Sequence, residues 1–307
     1  MTEILLENEF LSAAVETNGG TIWRLAAKHA GGLTPLLRSP AHDAERKPRN
    51  SGCYPLLPFG NRIAGNRFEF DGKQYSLLPN VDFDPLCLHG DGWLSEWAVL
   101  DASNTSVTLQ HRGEASGFPY RYDALQQFAL DNESLRVMLR VVNRGHEPMP
   151  FGLGWHPYFP RVADTKLYAR ASSYWEEGAL HLPVGERPLE QEIDFNVAQA
   201  LPKRWVNNGF EGWDGRATIT APSTGVTTLI TASDNMQRYF VFVPDPNRPP
   251  VHPEDFFAFE PMTHTANGHN IASGGGLVRL DPGQALECAM SIAWQNYKPT
   301  TANEVVG

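Results

Sequence analysis

Apolar and polar side chains alternate with a period of two along most of this chain, the spacing of strands with one buried face. Residues 67–77 alternate about a central Asp71-Gly72, a strong short-range hairpin signal. A second hairpin is expected between residues 97–100 and 106–111, around Ser103-Asn104. A third joins 125–130 to 135–142 through Asp131-Asn132-Glu133-Ser134. Further strands are expected at 166–171, 217–221, 226–231, 239–243, 256–259, 277–280 and 285–294, all rich in threonine, valine and aromatic residues. Amphipathic helices are missing, and 195–201 and the stretch after Thr265 have room for a short helical turn at most. Residues 40–51 and the five-proline stretch 244–253 read as surface loops. The pattern predicts an all-β protein, one large antiparallel β-sandwich forming a single domain over residues 1–307.

Composition narrows the class. With 25 basic and 35 acidic residues the formal charge is -10, which disfavours nucleic acid and anionic membranes as partners. Cys53, Cys87 and Cys288 are scattered singly, so they are expected reduced and buried, with no disulfide framework. Met1 to Glu7 has no basic n-region, and no apolar run approaches transmembrane length, so a soluble cytoplasmic protein is expected.

Polar groups that need explaining cluster in four places among glycine, proline and aromatic residues. Phe151-Gly152-Leu153-Gly154-Trp155-His156-Pro157-Tyr158-Phe159-Pro160 sets one imidazole between a glycine-loosened approach and a proline-stiffened exit. The residue before a proline is pushed toward extended conformations, so His156 is expected at a strand end beside Trp155 and Tyr158. Taken alone, this stretch reads as a packed core histidine before a catalytic one. In Pro58-Phe59-Gly60-Asn61-Arg62-Ile63-Ala64-Gly65, the Arg62 fork suits paired oxygens such as vicinal hydroxyls, or is a solvated arginine. His89 lies in Leu86-Cys87-Leu88-His89-Gly90-Asp91-Gly92-Trp93, with Trp97 four residues on. That loop fits a sugar stacked on an aromatic face, and equally a loop capped by a structural tryptophan. Glu260 follows the apolar Phe256-Phe257-Ala258-Phe259, so it points into a cleft or is solvated at a sheet edge; the flanks favour the cleft. As metal ligands, His252-Pro253-Glu254 and His264 with His269 fit no standard spacing, and serine-hydrolase, P-loop and dinucleotide signatures are absent.

In order, Asn61-Arg62-Ile63, Leu88-His89-Gly90 with Trp93 and Trp97, His156-Pro157-Tyr158-Phe159, and Glu260-Pro261 resemble the motifs of the aldose 1-epimerase, or galactose mutarotase-like, family. The resemblance runs from about Leu11 to Trp294. It implies a β "supersandwich" with one sugar cleft, interconverting the α and β anomers of a free aldose with no metal or organic cofactor. It further implies Glu260 as general base at the C1 hydroxyl and His156 as general acid at the ring oxygen. Arg62 and His89 would hold sugar hydroxyls, with Asn61 and Asn207 completing the binding set. The acid and base are expected to face each other a pyranose ring's width apart.

Two departures bear on the substrate. Many members place an aspartate three residues before the phenylalanine of Phe-x-Gly-Trp-x-Gly. Here Phe210-Glu211-Gly212-Trp213-Asp214-Gly215 puts Asn207 in that place, an amide without the charge of a carboxylate. Hexose-6-phosphate epimerases of the superfamily usually carry an arginine soon after the His-Gly loop, and Asp91-Gly92-Trp93-Leu94-Ser95-Glu96 has none. An unphosphorylated aldose is therefore expected. The alternatives are a non-catalytic carbohydrate-binding or sensing domain on the same fold, a hexose-6-phosphate 1-epimerase and, last, a metalloenzyme.

Overall fold

The Asp71-Gly72 turn forms with both residues at positive φ, 51° and 73°, joining Arg67–Phe70 antiparallel to Lys73–Ser76. The second expected hairpin pairs Ala98–Ala102 with Ser106–Gly113. The third pairs Tyr122–Asp131 with Ser134–Asn143 in unbroken register. These elements belong to a computed structural model that describes residues 1–41, 43–245, 247 and 255–298.

Two large antiparallel sheets and two two-stranded ones form among the described residues. The first, of 11 strands, runs Glu3–Glu7, Leu11–Glu16, Thr21–His29, Cys53–Leu56, Gly154–Pro160, Phe256–Met262, Arg238–Val243, Val206–Glu211, Ser173–Glu177, Pro183–Arg187, with Gly32–Pro35 beside Thr21–His29. The second, of 9 strands, has Ala285–Asn296 and Ser134–Asn143 at its centre. Their facing sides meet in one apolar core, which includes Trp97, Phe128, Val137, Trp155, Phe159, Tyr239, Phe257, Phe259 and Ile292. This is the β-sandwich that the alternation predicts. Among the described residues the helical pieces are short 3-10 turns, and no helix is long and apolar enough to cross a membrane. The three cysteines are buried and free.

Several strands lie where the sequence pattern gave no signal, and at the centre of the larger sheet proline is one reason. Pro55, Pro157 and Pro261 sit in three neighbouring strands at the centre of the larger sheet, where proline argues against a strand because it gives no ladder N–H. The sheet accommodates them by opening. Gly154–Pro160 pairs with Phe256–Met262 from Pro160↔Phe256 to Tyr158↔Ala258, and the register resumes only at Gly154↔Met262. Pro157 and Pro261 lie in that gap. His156 is thus the third residue of a strand instead of its end, and the strand expected at 256–259 runs on through Glu260 to Met262.

Two smaller expectations resolve in opposite ways. Two 3-10 turns, Gly268–Asn270 and Gly274–Gly276, follow Thr265. At 195–201 there is no helical turn; Gln199–Ala200 pairs as a short strand with Lys166 and Leu167. Most of the 244–253 loop lies outside the described residues, as do His252 and Glu254.

Candidate active site

Strand alternation sorts the side chains of Gly154–Pro160 onto two faces. Trp155 and Phe159 point into the sandwich core, where the Trp155 indole donates to Gln126 Oε1 at 2.9 Å. His156 and Tyr158 point to the outer face of the larger sheet, into a second cluster with Tyr54, Trp93, Phe240 and Phe256. Trp155 therefore does not flank the imidazole as expected. The ring is held instead by Tyr54, stacked at 4.7 Å between centroids, and by Tyr158 at 4.5 Å.

Glu260 comes from the neighbouring strand, at the level of the ladder gap. Its Oε1 lies 3.1 Å from His156 Nε2, and the two side chains are only 2% and 9% exposed. They stand side by side, in contact, and not a ring's width apart as expected. His156 Nδ1 and Glu260 Oε2 have no hydrogen-bond partner among the described residues. Buried polar atoms left so are uncommon away from functional sites.

Two loops close on this pair. Asn61 and His89 each take a φ of +59° and face one another. The His89 N–H donates to the Asn61 carbonyl at 2.9 Å, and the Asn61 N–H donates to His89 Nδ1 at 2.9 Å. Since Nδ1 accepts, a neutral His89 carries its proton on Nε2 and has a donor to offer. Its ring lies edge-on to His156, 5.4 Å between centroids. A bridge between Arg62 and Leu88 ties the loops further. Arg62 is aimed by Asp84, which accepts from its Nε at 2.7 Å and from the Leu86 N–H at 2.9 Å. Asn61 Oδ1 accepts from the Arg62 N–H at 3.0 Å, so this amide positions the arginine. Behind the loop, His264 Nε2 accepts from the Gly60 N–H at 2.8 Å. His269 bonds Tyr120 and does not join His264 in a ligand pair.

Electrostatics set the resting state of the pair. Burial pushes the Glu260 carboxyl well above its ordinary range, against a smaller opposing effect of the Arg62 charge. Burial lowers His156 to about 3; a backbone hydrogen bond opposes this, while the Arg38 and Arg62 charges reinforce it. Burial likewise pushes His89 well below its ordinary range. Burial thus favours the neutral form of both groups, a protonated carboxyl beside an uncharged imidazole.

The other expected site residues fall in two places. Asn207 lies on the same outer face, paired in register with Phe242, two strands from Glu260. Trp93 and Trp97 are buried, with their indoles donating to the carbonyls of Leu88 and Gly92. They cap the loop and offer no open face to a sugar. Tyr54 and Asp84 were not visible as site residues. Asp84 left one signal, a carboxylate before Pro85 in an apolar turn. A groove of about 730 Å³ lies elsewhere, lined by Arg112, Asp123 and Arg144 among others. Two of its arginines, Arg112 and Arg144, are both paired with Asp123. Unpaired buried polar atoms of two neighbouring side chains meet at His156 and Glu260.

Two large antiparallel sheets with a polar cluster on the outer face of the larger one define the galactose mutarotase-like fold. A galactose mutarotase-like protein of Clostridium acetobutylicum shares it with a TM-score of 0.83 at 18% identity, over 96% of this chain and 95% of that one. A family model described as aldose 1-epimerase matches residues 2–293, and the chain belongs to that family. YphB, an uncharacterised protein of Escherichia coli K12, is 40% identical over 297 residues, 95% of this chain and 98% of its own. A crystal structure from Escherichia coli K12, described as a candidate aldose 1-epimerase, matches with a TM-score of 0.91 at 39% identity. That match covers 96% of this chain and 99% of that chain.

Proposed function

We propose that the chain is an aldose mutarotase, interconverting the α and β anomers of a free aldose at His156 and Glu260. The observation that carries this reading is the buried contact of 3.1 Å between His156 Nε2 and Glu260 Oε1. Opening a hemiacetal takes a proton from the C1 hydroxyl and gives one to the ring oxygen as the C1–O5 bond breaks. Both oxygens are bonded to the same carbon. An acid and a base that serve them in one step have to stand side by side, so contact suits the chemistry better than opposition across a ring.

A pair with one proton has one member ready to donate and one ready to accept. In the assignment carried over from the family, Glu260 takes the proton from the C1 hydroxyl and His156 gives one to O5. The resting pair reaches that state by passing its shared proton from Glu260 to His156. The free aldehyde then rotates about C1–C2, and closure on the other face runs both transfers backwards. The cycle returns the protein unchanged. The His89 Nε2–H and the Arg62 guanidinium, aimed by Asp84, supply donors for sugar hydroxyls.

Polarimetry on freshly dissolved α-glucose and α-galactose tests the proposal. The protein should speed the approach to anomeric equilibrium over buffer, and Glu260→Gln or His156→Asn should reduce kcat by about 10²–10⁴-fold. No acceleration with any of several free aldoses, or full activity in both variants, would remove it.

A further inference from the structure

Asn207 Nδ2 lies 2.6 Å from Glu177 Oε1, and this contact decides which way the amide points. Burial alone would raise the Glu177 carboxyl, but hydrogen bonds from His181, Asn207 and Trp205 together outweigh it and hold the group below its ordinary value. Glu177 is therefore ionised at neutral pH and can only accept. The nitrogen of Asn207 has to face it, and the oxygen has to face away. Asn207 Oδ1 meets no donor among the described residues. Glu177 itself is engaged: Oε1 also takes His181 Nδ1, and Oε2 takes the Trp205 indole at 2.8 Å.

The register places Asn207 relative to Glu260. Glu260 pairs with Phe240, which pairs with Gly209; Phe242, two residues further on, pairs with Asn207. Side chains two apart share a face, so Asn207 and Glu260 project from the same side of the sheet. Two strand spacings and one two-residue step put their Cα atoms roughly 12 Å apart, a separation on the scale of a monosaccharide with its hydroxyls.

We propose that Glu177 is a positioning residue for the sugar site: it locks the Asn207 amide so that its oxygen accepts a hydroxyl of the bound aldose. The inference rests on the mutarotase reading for its ligand. Acceptor strength that a carboxylate at position 207 would supply directly comes instead from a neutral oxygen held in place by a carboxylate one strand further out. Glu177 acts through Asn207 and does not touch the sugar.

The test uses the wild type, Glu177→Gln, Asn207→Asp and the double variant, with kcat and KM from polarimetry, sugar binding from calorimetry, and thermal unfolding to confirm the fold. In Glu177→Gln the side-chain amide offers its NH2 to position 207, so Asn207 flips and turns its own NH2 to the sugar. KM should rise about three- to tenfold, the weight of one hydrogen bond, with kcat nearly unchanged. Asn207→Asp alone sets two carboxylates against each other and should also raise KM. In the double variant the new glutamine amide donates to the new aspartate, whose second oxygen faces the sugar, and KM should return to within about threefold of wild type. A purely structural Glu177 would leave the double variant at least as weak as either single one. That result, or an unchanged KM in Glu177→Gln, overturns the proposal. If the wild type binds aldoses without turning them over, the mutarotase reading fails, and the same pattern in the calorimetric affinities decides the positioning role. A wild type that binds no aldose overturns both.

Discussion

Burial pushes the Glu260 carboxyl well above its ordinary value of 4.5, a shift that governs stability as well as chemistry. Unfolded, the group loses its proton near that ordinary value; folded, it keeps the proton to higher pH. The folded state thus binds the extra proton, and its stability from this group falls as pH rises toward the folded value. His156 works in the opposite sense, since burial lowers it to about 3. Its contribution is present above the ordinary 6.5 and is lost as pH falls toward the folded value. Glu260→Gln keeps the shape of the protonated acid and removes the titration. Its Tm should exceed that of the wild type by a margin that widens between about pH 5 and pH 8, where a free carboxylate is fully ionised. A constant margin in thermal melts at those two pH values would contradict the raised carboxyl. His156, Arg62, His89 and Glu260 were legible because each polar group stands out among glycine, proline and aromatic neighbours. Glu177 and Asp84 were not, because their partners Asn207 and Arg62 are remote in sequence and meet them only in the folded chain.

At the scale of elements, proline explains both what was missed and how the site is built. Pro157 and Pro261 interrupt the alternation in two central strands, so one was expected to stop at 259, and the ladder gap that contains them is where His156 meets Glu260. The loops above depend on glycine in one place without substitute. Gly90 has φ +67°, and a Cβ there would lie 2.2 Å from the Leu57 carbonyl oxygen. Gly90→Ala should therefore destabilise the protein by about 2–4 kcal/mol, from a left-handed alanine and an overpacked backbone contact together. It should also weaken sugar binding, since Gly90 follows His89 in the clasp. A urea midpoint near that of the wild type would show that the loop relaxes at no cost.

Over the whole molecule, alternation was enough to predict an all-β sandwich, because half-buried strands write their burial into every second residue. The order of strands in the sheets was not readable. Cys53–Leu56, Gly154–Pro160 and Phe256–Met262 lie about a hundred residues apart and become neighbours only through the topology. That topology brings His156 and Glu260 together from two distant motifs. In the proposed mechanism His156 and Glu260 work as a buried pair sharing one proton. The most direct test is kcat/KM for mutarotation as a function of pH, with the buffer rate subtracted at each point. A second proton enters only as His156 titrates, at about 3, and the last leaves only well above the ordinary carboxylate range. A pair of this kind gives a flat profile through neutrality with its acid limb near 3. An acid limb near the ordinary imidazole value of about 6.5 would contradict it.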